Sequence, residues 1–227
     1  MKTGIYWQDP KYAVGRCDND PSCVLYLPLH RLDGVSFMSK DAYGHLCTLT
    51  GALWTPQGRN FDGIDDYIDC GNNTSVNLIG TGTLESWVKV NAYPVGMGFI
   101  LAKDAEAGGR GYGLRVNSDG TVSVDRNGLP QATSTTVLSL NQWYHISAVC
   151  TGIYALSWYL YIDGVLSAGP AGYALESSTT NLNIGRRMYT GAPNYLSAII
   201  GEVRIYNRAL SEAEGAHNRN ATKWRYQ

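Results

Sequence analysis

From position 24 onward the chain is cut into short apolar or alternating runs that stop at Gly, Asn, Asp or Ser roughly every ten residues. A helix needs an apolar period of 3.6 sustained over about ten residues or more, whereas a strand needs only about four to eight residues of period two. The punctuation therefore selects β structure. It predicts strands over 24–29, 67–70, 83–90, 99–103, 111–117, 121–126, 142–150, 156–163, 181–185 and 199–206. Asp119-Gly120 and Asp163-Gly164 fall between such runs, and Asp-Gly tolerates the positive φ angles of a primed turn, so hairpins and antiparallel neighbours are expected. Only Ser211-Glu212-Ala213-Glu214 reads as helix, a turn or two capped by Ser211.

A length of 227 residues fits one domain, large enough to bury a core without metals or disulfides. Residues 1–23 have no clear period and read as an N-terminal arm, 24–217 as the sandwich, and 218–227 as a C-terminal tail. The arm carries Tyr6, Trp7 and Tyr12, and the tail Trp224 and Tyr226. Charged residues make up 16 % of the chain against about 25 % in average usage, so part of the surface is expected to be covered by other chains, in a homo-oligomer or a larger assembly. Eighteen basic and 19 acidic residues leave a net charge of −1, which provides no basic field for nucleic acid. No run approaches ~18 apolar residues, so membrane insertion is not expected. The five cysteines are odd in number; a disulfide could close the short loop between Cys17 and Cys23, and free buried thiols fit the sequence equally.

Alternation splits the strands into two faces. Leu84, Val88, Val90, Tyr112, Leu114, Val116, Val122, Val124, Ile146, Ala148, Cys150, Leu156, Trp158, Leu160, Ile162, Val203 and Ile205 form the predicted core. Burying each large member stabilises the fold by about 1.5–3 kcal/mol. The opposite face carries Glu85, Trp87, Lys89, Arg115, Trp143, His145, Tyr159, Tyr161, Glu202, Arg204 and Tyr206. Aromatic rings can cover the apolar side of a pyranose while charged groups bond its hydroxyls, which makes Trp87, Trp143, His145 and Tyr161 candidate ligand contacts. These residues equally fit pairing across strands or lying beneath the terminal arms. The loops 103–112 and 186–196 mix charge, aromatics and glycine, and add Asp104, Arg110, Arg186, Arg187, Tyr189 and Tyr195. Plain solvated loops are the other reading of both.

Several phrases then stand in order: Phe61-Asp62-Gly63-Ile64-Asp65-Asp66-Tyr67-Ile68, Gly82-Thr83-Leu84-Glu85-Ser86-Trp87-Val88-Lys89, Gly113-Leu114-Arg115-Val116-Asn117-Ser118-Asp119-Gly120, Trp143-Tyr144-His145-Ile146-Ser147-Ala148, Leu160-Tyr161-Ile162-Asp163-Gly164 and Gly201-Glu202-Val203-Arg204-Ile205-Tyr206-Asn207-Arg208-Ala209-Leu210-Ser211. Together they resemble the laminin-G-like, concanavalin A-like lectin/glucanase jelly-roll family over roughly 24–217. The resemblance implies an all-β, two-sheet antiparallel jelly-roll β-sandwich with one short C-terminal helix. Related sandwiches hold a structural calcium, which nominates Asp62, Asp65 and Glu202 as metal ligands. Family members read Asp-Glu-Val-Arg-Ile-Tyr in the last strand; here Gly201 stands in place of the acid, and Asp62-Gly63 and Asp65-Asp66 also suit a plain turn. No other cofactor is implied.

Glucanases of this fold carry Glu-x-Asp-x-x-Glu on one strand, and no such strand, Gly-x-Ser-x-Gly elbow or His-Glu-x-x-His site occurs here, so no enzymatic activity is expected. The expected role is recognition or adhesion: binding a glycan or cell-surface ligand within a larger assembly. The chain begins at Met1 without an apolar leader, which suits a virion component such as a phage decoration, spike or tail protein acting outside cells, its arms fastened to other structural proteins. A cementing protein without glycan affinity, or a secreted lectin-like or glycoside-active domain, are the alternatives.

Overall fold

A computed structural model describes residues 17, 20–105, 109–126, 129–152, 154–188 and 194–227. The expected arm before Cys17, the Arg110 side chain and Tyr189 lie outside the described residues. In chain order the strands are β1 (Cys23–Pro28), β2 (Ser36–Met38), β3 (Leu46–Thr50), β4 (Leu53–Thr55), β5 (Gly58–Asp62) and β6 (Tyr67–Asp69). Next come β7 (Thr81–Val90), β8 (Met97–Ala105), β9 (Gly109–Asn117), β10 (Thr121–Arg126), β11 (Leu129–Val137) and β12 (Trp143–Thr151). The last six are β13 (Trp158–Ile162), β14 (Val165–Ala171), β15 (Asn183–Ile184), β16 (Arg186–Arg187), β17 (Asn194–Tyr195) and β18 (Ser197–Tyr206).

Two antiparallel sheets stack face to face. The first runs β14-β13-β12-β7-β18-β5-β4, with β1 also paired to β18; the second runs β11-β10-β9-β8-β15-β6-β3-β2. All ten predicted strands are present, and the predicted core lies between the sheets with one exception. Leu156 precedes β13 and is 51 % exposed, because the strand begins two residues later at Trp158. The Asp163-Gly164 turn has positive φ at both residues, as a primed hairpin requires. The β9–β10 connection differs: only Gly120 is left-handed, and Asp119 accepts from the Thr121 amide and hydroxyl, which closes the turn without a positive φ at the aspartate.

The helix is longer than expected. Helix α1 spans Glu212–Thr222, started by a reciprocal cap in which Glu214 N donates to Ser211 Oγ and Ser211 N donates to Glu214 Oε2. The segment 218–227, read as a tail, continues this helix and ends with Tyr226 buried. Both helix and tail lie across the outer face of the first sheet. Cys17 and Cys23 are disulfide-bonded, which ties the chain before β1 to that strand. No helix of the described residues is long and apolar enough to cross a membrane.

Candidate functional site

Strand register builds the outer face of the first sheet as rows. One row crosses five strands as Tyr161, Ser147, Glu85, Arg204 and Tyr26; the next sets His145 beside Trp87 and Trp87 beside Glu202. Period two puts all of them on the side away from the core, and α1 with the residues after it covers the row centres. Asn218 Nδ2 donates to Glu85 Oε2 (2.7 Å) and to the Tyr206 hydroxyl (3.1 Å), Trp87 Nε1 donates to Thr222 Oγ1 (2.9 Å), and Arg225 Nη1 donates to Glu202 Oε1 (3.0 Å). The Tyr226 ring is wedged between Trp87 and Trp143, with centroids 4.6 and 4.7 Å away. Of the predicted aromatic contacts, Trp87 is thus buried beneath the tail, and Trp143 is half-buried against it.

The other two predicted residues of this face line an open cleft. Between the start of α1 and β12–β13 lies a small open cleft bordered by His145, Ser147, Val149, Tyr161, Gly164, Ser211, Glu212, Gly215 and Ala216. Tyr161 is half-buried, and its hydroxyl donates to Glu212 Oε1 (3.2 Å). Ser147 Oγ and its cross-strand neighbour Glu85 Oε1 are buried side by side beneath the cleft, the serine hydroxyl serving the Glu85 carboxyl. Gly215 passes directly above this pair: a methyl there would sit 3.7 Å from Glu85 Oε1 and 4.0 Å from Ser147 Oγ. The missing side chain lets the helix lie close over the pair.

Burial sets the charge states. It pushes the Glu85 carboxyl up to about 7 despite the opposing pull of Arg204. It pushes His145 down to about 3, helped by Arg204 and Arg219, so the imidazole is neutral at physiological pH. Burial, then the Glu212 carboxylate, raises the Tyr161 hydroxyl to about 12, which keeps it a donor. The cleft therefore offers an aromatic ring, the Tyr161 and Ser211 hydroxyls, a neutral imidazole and a carboxylate. The sequence signal for Ser147 was present, two residues after His145 on one strand face; Glu212, Gly215 and Ala216 could not be seen, since α1 has no apolar period.

The loop candidates gather elsewhere, on the outer face of the second sheet. Arg187 pairs with Asp104 at 3.4 Å and Arg115 with Asp125 at 3.0 Å, all four buried. Burial raises Asp125 to about 6 against the pull of Arg115 and Arg187. Arg186 stacks on the Tyr67 ring and donates to Asn183 Oδ1, while Tyr195 is half-buried opposite it on β17. The Arg187–Asp104 and Arg115–Asp125 charges satisfy one another inside the protein.

The metal candidates do not converge. Asp62, Asp65 and Asp66 cluster within 4.8 Å, but Glu202 lies on the covered face of the first sheet, paired with Arg204 (2.9 Å) and Arg225 (3.0 Å). Glu202 is therefore removed from the candidate set, because two guanidinium groups already use its oxygens. Within the cluster, Asp62 Oδ1 accepts the Ile64 and Asp65 amides and Asp66 Oδ2 accepts the Asp62 amide, the bonding of a turn.

A two-sheet jelly roll with a polar cleft beside its terminal helix defines a lectin-like sandwich. The family model of the concanavalin A-like lectin/glucanases superfamily matches residues 62–214, more than half the chain, and the chain belongs to that family. Similar solved structures include Trypanosoma rangeli sialidase in complex with sialic acid, at 18 % identity and a TM-score of 0.71, over 94 % of this chain and 36 % of that one. The same sialidase as a covalent intermediate with 2,3-difluorosialic acid matches at 17 % identity and TM-score 0.69, over 90 % and 34 % of the two chains. A mutant of HCR/D matches at 14 % identity and TM-score 0.64, over 88 % of this chain and 52 % of its own. The chain thus spans about a third of the sialidases and about half of HCR/D. No curated protein matches the chain. The expectation of no enzymatic activity is corrected by these likenesses: the fold occurs within glycosidases, so missing glucanase and hydrolase motifs do not exclude glycoside chemistry.

Proposed function

We propose that this chain is a carbohydrate-recognition domain that seats a sugar in the cleft between α1 and the outer face of the first sheet. The observation that carries the reading is the open cleft in which the Tyr161 ring and hydroxyl stand beside the Glu212 carboxylate. A sugar hydroxyl both donates and accepts, so one hydroxyl can serve the Tyr161 hydroxyl and the Glu212 carboxylate, while the Tyr161 ring offers its face to the sugar's carbons. Ser211 and the neutral His145 border the same cleft. As part of the same proposal, the domain works outside cells or on a virion, where glycans are met; the bonded Cys17–Cys23 pair is in keeping with an oxidising compartment.

A glycan array with the full chain tests this, followed by titration of the best hit. Tyr161→Ala is expected to weaken that hit at least tenfold, about 1.4 kcal/mol. Gly215→Leu, which fills the cleft from above, is expected to abolish it with Tm maintained. Asp65→Asn, in the distant acidic turn, is expected to bind like the wild type. A silent array, or a folded Gly215→Leu protein that binds the hit unchanged, contradicts the proposal.

A further inference from the structure

Three cysteines remain outside the Cys17–Cys23 bond, all buried: Cys47, Cys70 and Cys150. Two of them face each other. Strands β3 and β6 pair with Thr48 opposite Asp69, so one step further in this antiparallel register puts Cys47 opposite Cys70. The Cys70 amide donates to Leu182 O on its other flank, as Cys47 pairs with Phe37 of β2 on its own, which makes Cys47 and Cys70 a non-hydrogen-bonded pair. Such pairs bring their Cα atoms to about 4.5 Å, the closest approach an antiparallel ladder offers. That lies inside the roughly 4.4–6.8 Å that a disulfide spans. Both side chains belong to the core between the sheets, so both Cβ atoms project to the same face. Contact with Cys47, then burial, pushes the Cys70 thiol well above its ordinary value. Cys150 is elsewhere, its thiol donating to Gly80 O at 3.1 Å.

We infer that Cys47 and Cys70 form a second, cross-strand disulfide that staples β3 to β6 in the second sheet and leaves Cys150 as the one unpaired thiol. The chemistry is exchange with a small-molecule or enzyme disulfide. One thiol loses its proton and attacks the oxidant, releasing a thiol; the second displaces the mixed disulfide, releasing another. Two protons and two electrons pass from the cysteines to the oxidant, which is reduced to two thiols, and one S–S bond is exchanged for another. Because the raised pKa and burial disfavour the thiolate in the folded chain, the bond forms while the sheet is assembling and is slow to add afterwards. The loop it closes holds the β4–β5 hairpin and the Asp62–Asp66 turn, so the staple fixes one end of the sandwich.

The test is a thiol map of the full chain refolded with a mixture of reduced and oxidised glutathione, then unfolded without reductant and alkylated. The expected digest contains a peptide pair joined through Cys47 and Cys70, with the alkyl label on Cys150 alone. The stapled form is expected to melt about 5–15 °C above a Cys47→Ser, Cys70→Ser double variant. Recovery of Cys47 and Cys70 as alkylated thiols overturns the inference whatever the state of Cys17 and Cys23. Pairing of either with Cys150 overturns it equally.

Discussion

Glu85 shows how one buried acid links packing to pH. Its folded value near 7 lies above the ordinary carboxyl value of 4.5, so the folded state holds a proton that the unfolded chain releases. That stability is fully present below pH 4.5 and is lost as pH rises through about 7. Glu85→Gln keeps the shape and cannot ionise. Urea unfolding is expected to find the variant gaining on the wild type by roughly 2–3 kcal/mol between pH 5 and pH 8; a constant difference would mean that Glu85 titrates normally. Gly201 makes a steric point. The family acid is missing there because a Cβ at 201 would overlap the Tyr226 ring. Gly201→Asp is therefore expected to cost about 1–3 kcal/mol and to expose the Trp87–Tyr226 stack, read as a shift in tryptophan fluorescence; unchanged stability and emission would show that the ring can sit elsewhere. The sequence displayed Glu85 on the outer face and Gly201 as a departure from pattern, but neither consequence could be read without the residues that pack on them from the helix and tail.

Among the elements, the central strands were legible because their aliphatic residues alternate with polar and aromatic ones, although both faces are buried. In β7 and β12 Leu84, Val88, Val90, Ile146, Ala148 and Cys150 share the core face, and in β18 Val203 and Ile205 do so beyond a bulge after Ile200. Missed strands lack that signal. In β11 only Ala132 and Ser134 are buried, and β14 carries Gly-Pro at the edge of its sheet. Helix α1 was read as a turn or two for a related reason: it contacts the sheet through Asn218, Arg219 and Thr222 and not through an apolar stripe. Its anchor is the aromatic that follows it. Tyr226→Ala should therefore cost about 3–5 kcal/mol, and hydrogen exchange over 212–225 should rise ahead of exchange in β12; equal protection of the two would make the helix an integral part of the core.

At the scale of the molecule, the period-two pattern and the ordered phrases were enough to predict the two-sheet jelly roll, since stacking two half-apolar sheets is the way such a chain hides its core. The cleft was only half legible. His145 and Tyr161 could be chosen because sheet residues advertise their face, whereas the opposite wall comes from a helix about 50–70 residues further along whose position depends on polar contacts. Of the predicted loop charges, Arg187 and Asp104 neutralise each other against the second sheet. That division gives two separate surfaces, and amide chemical shifts of the isotope-labelled chain titrated with the best array glycan distinguish them in one experiment. The largest changes are expected at Ser147, Tyr161, Gly164, Glu212 and Gly215; changes confined to Asp104, Arg115, Arg187 and Tyr195, with the cleft unmoved, would put the sugar on the other surface and overturn the cleft as its seat.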